Sequence, residues 1–166
     1  MARNSGARHR SGCPVSISLE VLGDRWSLLL VRDMMVRGYR TFREFQRSGE
    51  GIATNILADR LQKLEAGGIL VREPAEKDGR STNYRLTAKG IALAPVLLEI
   101  LIWGAHHEET DAPRAAIEQM EQNRAAVLAE TYRRWEQRDP TPILPPFTPS
   151  ARPTSKSNSP KGKPRR

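Results

Sequence analysis

The feature that most constrains the fold is an abrupt change of period at Gly67-Gly68. Before it, Ile52, Ile56, Leu57, Leu61 and Leu64 mark the inner side of a helix running from about Thr54 to Ala66. After it come two short runs, Ile69-Leu70-Val71-Arg72-Glu73 and Thr82-Asn83-Tyr84-Arg85-Leu86, flanking Lys77-Asp78-Gly79-Arg80. Asp-Gly accepts the positive φ angles of a tight turn, so the two runs read as a β-hairpin.

The segments on either side fit a compact helical domain. Pro14 suits the first turn of a helix that ends at Gly23. Asp24 can cap a second, in which Trp26, Leu29, Leu30 and Met34 share a face widened by Leu28, Val31 and Met35. Gly38 ends it, Tyr39-Arg40-Thr41 can extend, and Phe42 and Phe45 anchor a brief third helix before the turn Ser48-Gly49-Glu50-Gly51. Helix, turn, helix, then hairpin is the order of a winged helix-turn-helix domain, mainly α with a small β wing. Thr87 caps a long fifth helix, within which Pro95 costs a kink at worst. A sixth, capped by Asp111 with Pro113 early in its first turn, carries Ile117, Met120, Val127, Leu128, Thr131 and Trp135 along one stripe and ends at Asp139-Pro140. The chain thus divides into a basic arm (1–12), a winged domain (13–107), an additional C-terminal helix read as a dimerisation element (108–139) and a Pro/Ser/basic tail without structure (140–166).

The net charge of +8 hides a polarity that bears on partners. Residues 1–12 and 148–166 hold nine basic residues and no acid; residues 37–89 are +4 and residues 90–139 are −4. A basic segment beside a separate acidic one suits a nucleic-acid reader with its own oligomerisation element. The single cysteine, Cys13, excludes an intramolecular disulfide framework and fits a reducing compartment, the cytoplasm. The most apolar stretch, 91–105, spans 15 residues and includes Glu99, so no membrane span is expected. No phosphate-binding loop, nucleophile elbow or zinc-protease motif is present, so no enzyme and no cofactor are expected.

Specific residues sharpen this outline. Cys13-Pro14, Leu22-Gly23-Asp24-Arg25-Trp26-Ser27-Leu28-Leu29-Leu30-Val31-Arg32-Asp33, Arg40-Thr41-Phe42-Arg43-Glu44-Phe45 and Gly51-Ile52 follow one another in order. So do Leu64-Glu65-Ala66-Gly67-Gly68-Ile69-Leu70, Tyr84-Arg85-Leu86-Thr87-Ala88-Lys89-Gly90, Pro95-Val96-Leu97 and Trp103-Gly104. Together, from Cys13 to about His107, they resemble the HxlR family of bacterial winged-helix transcriptional regulators, close to the MarR group. The resemblance implies a homodimer whose two recognition helices enter successive major grooves of a palindromic operator in double-stranded DNA, more often as a repressor.

On that footing Thr54, Asn55, Ala58 and Gln62 are the candidates for base readout, with Asn55 and Gln62 suited to adenine and Ala58 to a thymine methyl. Arg43, Arg60 and Lys63 would hold the backbone, and Arg80 at the wing tip would approach the minor groove. Arg60 could equally pair with Glu65 or Asp59. Two departures stand out. Ala53 replaces the serine usual after Gly-Ile, leaving Thr54 to open the helix without that cap, and the wing reads Asp78-Gly79-Arg80-Ser81, nearer the MarR type.

Cys13, near the N-cap of the first helix and close to Arg8 and Arg10, is a candidate sensor of oxidants or electrophiles; a packed small residue is the plain alternative. A small-molecule effector is the other input such a regulator takes. Adjacent His106-His107 diverge around a helix, so no metal site is expected. The competing reading is a winged-helix protein-interaction module in which only the basic tail touches nucleic acid.

Overall fold

The structure is a computed structural model and describes residues 10–75 and 82–143. Eight helices and two strands occur among them: α1 Pro14–Leu22, α2 Ser27–Val36, α3 Phe42–Gln46, α4 Thr54–Ala66, β1 Leu70–Pro74, β2 Thr82–Leu86, α5 Ala88–Ile91, α6 Ala94–His107, α7 Arg114–Gln122 and α8 Arg124–Glu136. The order helix, turn, helix, hairpin is the winged arrangement expected from the change of period at Gly67-Gly68.

Gly68, at φ 69°, makes the turn between α4 and β1. The strands are antiparallel, with Leu70 opposite Leu86 and Pro74 opposite Thr82. Tyr39-Arg40-Thr41 supplies the extended segment read from sequence: Tyr84 N–H donates to the Arg40 carbonyl at 2.7 Å, and Thr41 bridges to Asn83. The wing is thereby pinned to the entrance of α3.

Val31, Phe45, Leu57, Leu61, Leu64 and Leu70 are almost wholly removed from solvent and form the centre of the core. Phe45 sits edge-on to both Tyr39 and Tyr84, centroids 6.3 and 6.0 Å away, so one aromatic joins α3 to the wing. Beneath it, Asp33 is a buried carboxylate held by Arg32 at 2.7 Å and Arg37 at 3.2 Å. Burial pushes its pKa up by more than these guanidinium groups draw it down. Arg37 also donates to the Ser48 carbonyl, which ties the end of α2 to the turn preceding α4.

The two long C-terminal helices expected from sequence are each broken. Pro95 has no N–H to give to Ile91, so α5 stops and α6 restarts at Ala94, with the proline in its first turn. The second break falls at Asn123, whose φ of −122° is not helical and whose side chain donates to the Gln119 carbonyl, closing α7 before α8 opens. Asp111 does not start α7; Pro113 occupies its N-cap position.

The stretch Ala88–His107 is also longer than the 15-residue reading, and by length and composition it could cross a membrane. Its Ile91, Ala94, Leu98 and Ile102 are buried within the folded chain, Val96, Ile100 and Trp103 are exposed, and α6 packs against α2, α7 and α8.

The stripe on α7–α8 is used inside the chain. Ile117 and Met120 are buried, and Met120 packs with Leu98 and Ile102. Trp135 donates its indole N–H to the Leu86 carbonyl at 2.7 Å, while the Arg85 guanidinium lies 5.0 Å from its ring centroid. Arg138 grips Glu73 of β1 with two nitrogens, at 2.9 and 3.3 Å, and its carbonyl accepts from Arg40. Past Pro140, where no structure was expected, the chain still reaches Ile143, whose N–H donates to the Val36 carbonyl.

Candidate nucleic-acid interface

The surface with the clearest chemistry is α4 and its approach. Thr41 opens α3 with a capping box: its hydroxyl accepts from Glu44 N–H at 3.3 Å, and the Glu44 carboxylate accepts from Thr41 N–H at 2.7 Å. Gly49 and Gly51, at φ 89° and 73°, take the left-handed conformations that let the chain reverse within the turn. Buried Ile52 anchors the far side of that turn, and α4 begins two residues later.

Ala53 is the N-cap of α4 and has no side chain to accept from the first turn, as its identity implied. The N–H groups at this end therefore stay available to an external acceptor, and a helix N-terminus favours negative charge there. Leu57, Leu61 and Leu64 face inward, so Thr54, Asn55, Ala58, Gln62 and Lys63 are exposed along the other side. The structure thus gathers four short or polar residues on one outward stripe whose N-terminal end carries unpaired donors.

The basic residues nominated from sequence divide differently. Arg43 is exposed on α3. Lys63 is exposed and pairs with Asp59 at 3.1 Å across one turn. Arg60 turns inward: its guanidinium meets Asp24 at 3.2 Å and Asp59 at 3.4 Å, and its Nε is buried without a hydrogen-bond partner. The Glu65 alternative is taken by Arg72, at 2.9 Å. Burial pushes the Asp24 pKa up, but bonds from the Ser27 hydroxyl and the Trp26 and Ser27 N–H groups, with Arg60 nearby, bring it below the ordinary value. Asp24 is not the N-cap of α2, a position taken by Trp26, but it accepts from the Trp26 and Ser27 N–H groups just before and at the start of the helix, and in addition orients Arg60. Arg80 lies outside the described residues.

Sequence reasoning missed Gln46 and Arg47, both exposed at the end of α3. Gln46 donates to the Thr54 hydroxyl at 2.9 Å and so fixes one side chain of the stripe from the neighbouring helix. Their position directly before the glycine turn was the available signal.

Cys13 is the exposed N-cap residue of α1, with its N–H donating to the Ser11 hydroxyl. On the same helix Val15 and Leu19 are 67% and 60% exposed, and on α6 Val96, Ile100 and Trp103 are 48%, 48% and 58% exposed, an amount of open apolar surface that calls for a partner. His106 is hydrogen-bonded to Glu121 at 2.9 Å, and the His107 ring lies 5.2 Å from that of Trp103. No group of three metal-binding side chains occurs among the described residues.

Known proteins share this arrangement. The family model for HxlR-like helix-turn-helix proteins matches residues 21–112. The HTH-type transcriptional regulator YybR of Bacillus subtilis (strain 168), itself uncharacterized, is 34% identical over 101 residues, which is 61% of this chain and 80% of that protein. Among solved structures, the candidate transcription factor PA1607 is 45% identical with a TM-score of 0.57, covering 63% of this chain and 71% of that one. The redox regulator HypR in its oxidized form is 33% identical with a TM-score of 0.53, covering 59% of this chain and 100% of that one. The match spans more than half of the chain, and the chain belongs to the HxlR-like helix-turn-helix family of DNA-binding transcriptional regulators.

Proposed function

We propose that the protein is a dimeric repressor that inserts one α4 per protomer into successive major grooves of a palindromic operator. The observation that carries this reading is the α4 stripe: short polar side chains beside a helix N-terminus free of a side-chain cap, on a helix held from behind by three buried leucines. Asn55 and Gln62 read adenine edges through paired donor and acceptor atoms, and Ala58 meets a thymine methyl. Thr54, held by Gln46, contacts the edge or the adjoining phosphate. Arg43 and Lys63 take phosphates, and Arg80 serves the wing tip. Arg60 acts through Asp24, by fixing the start of α2 against α4.

Dimerisation through α1 and α6 is supported by their exposed Val15, Leu19, Val96, Ile100 and Trp103. The α7–α8 stripe contributes by bracing α6 within each protomer. Cys13 lies two residues from Val15 on the same proposed surface, so an oxidant that linked two such thiols would join the protomers and alter the spacing of the two α4 helices. The HypR structures are those of a redox regulator, which favours this input.

The test is a hydroxyl-radical footprint on operator DNA selected from random sequence. Two protected patches one helical turn apart, about 10 base pairs centre to centre, are expected. A single patch, or uniform weak protection that vanishes when residues 148–166 are removed, would favour the protein-interaction reading.

A further inference from the structure

Between α2 and α6 on one side and α7–α8 on the other lies a cavity of about 580 Å³. Leu28, Met35, Leu98, Met120, Val127 and Leu128 line it, so most of its wall is apolar, and two methionines make that wall adaptable. The volume lies within the range of pockets that enclose a drug-sized molecule. The space opens to solvent on one side, so a ligand can enter it.

Its polar corner narrows the chemistry. Arg32 and Arg37 line it, already held by Asp33 and Glu50, and Arg25 lies over the Trp26 ring at 5.0 Å. Guanidinium donors close to charge balance suit one accepting or singly anionic group on an apolar body. A nucleotide or other polyanion would leave most of its charge uncompensated against leucine and methionine.

We infer that this cavity is an effector site for an apolar small molecule bearing one hydrogen-bond-accepting or singly anionic group. Ile117, Met120, Val127, Leu128, Thr131 and Ile143 lie beyond residues 21–112, the part of the chain matched by the family model, so the C-terminal addition closes one wall of the site. The same addition holds the wing: α8 carries the Trp135 bond to Leu86, and Arg138 just past it grips Glu73. A molecule wedged between α6 and α8 therefore shifts the wing relative to α4. This step rests on the DNA-binding reading given above.

The experiment titrates the full-length protein with 1-anilinonaphthalene-8-sulfonate, an aromatic monoanion, and with the uncharged N-phenyl-1-naphthylamine, following probe fluorescence and then DNA affinity with and without probe. Saturable binding of one probe per chain is expected, weakened at least about tenfold by Val127→Trp and by Leu128→Trp, each of which fills the cavity. Far-ultraviolet circular dichroism identifies a variant that fails to fold, and two separate fillings keep the test decisive. Trp103→Ser removes the exposed ring of α6, the other apolar surface that a probe could meet. Absence of binding, or binding that Trp103→Ser abolishes and the fillings do not, overturns the site. Probe bound in the cavity with DNA affinity unchanged overturns the effector role. Failure to bind any DNA would strike the functional reading and leave the probe titration to decide the site.

Discussion

Trp135→Ala removes the joint between α8 and the wing, and its cost can be worked from the contacts. Burying a tryptophan completely is worth about 3–5 kcal/mol on truncation, and Trp135 is partly buried, so roughly 2 kcal/mol is its packing share. The indole N–H bond to Leu86 adds about 1 kcal/mol, because it leaves the carbonyl of a buried residue short of its donor. The Arg85 contact adds about 0.5 kcal/mol. A loss of about 3–4 kcal/mol lowers the melting temperature by roughly 10–15 °C for a folded region of this length. Trp135→Phe keeps most of the buried area and should lose only about 1–1.5 kcal/mol. Trp103→Ala is the internal comparison: it removes an exposed ring, and any destabilisation should depend on protein concentration, as a dimer contact requires. Differential scanning calorimetry at two concentrations reads all three. A Trp135→Ala melting temperature within about 2 °C of the parent would refute the docking of α8 on the wing.

Three further outcomes follow from other parts of the molecule. Gly90→Ala should unfold or strongly destabilise the domain, since a Cβ there would lie 2.1 Å from the Ile69 carbonyl oxygen; thermal melts check it, and a melting temperature like the parent's would contradict the close approach. Asp24 has a folded pKa below its unfolded value near 3.8, so its contribution is present above that pH and lost as pH falls through the folded value. Asp24→Asn should therefore cost about 0.5–2 kcal/mol at pH 7 and flatten the stability profile below pH 4, whereas Arg60→Ala should reduce stability and leave the salt slope of DNA binding unchanged; denaturant titration across pH and binding across salt distinguish them. Cys13→Ser should abolish any diamide-induced dimer on non-reducing gels and any accompanying change in DNA affinity; an oxidant response that survives the substitution would remove the thiol from the account.

The winged core was legible because its signals are local. Gly67-Gly68 and the leucine spacing of α4 report helix, turn and hairpin from neighbouring residues alone, while the Asp78-Gly79 turn lies outside the described residues. The outward stripe followed from the same periodicity, since knowing where Leu57, Leu61 and Leu64 point decides where Asn55 and Gln62 do. The breaks at Pro95 and Asn123 were harder to read. Apolar residues continue on both sides of each, and only the lost backbone bond, or the Asn123 side chain closing α7, interrupts the pattern. Arg60 shows a different limit. Its three-dimensional partner, Asp24, is 36 residues away, and no spacing rule links a helix surface to the capping residue of another helix. The docking of Trp135 and Arg138 on the wing is likewise a long-range match. The amphipathic stripe shows only that α8 must pack somewhere, because a second copy satisfies such a stripe as well as the chain's own strands do.

The central claim, that the outward face of α4 reads DNA, is tested most directly by fluorescence anisotropy with the DNA upstream of the protein's own gene and a scrambled competitor. The protein is titrated with and without residues 148–166, together with Asn55→Ala and Gln62→Ala. The account predicts that the shortened protein keeps a preference of at least about a thousandfold for that DNA, and that each substitution removes roughly 1–3 kcal/mol from its binding while leaving scrambled DNA almost unaffected. Arg43→Ala should weaken both DNAs alike and lower the salt slope by about one. Equal losses on both DNAs for Asn55→Ala and Gln62→Ala, or a preference that disappears with residues 148–166, would contradict it.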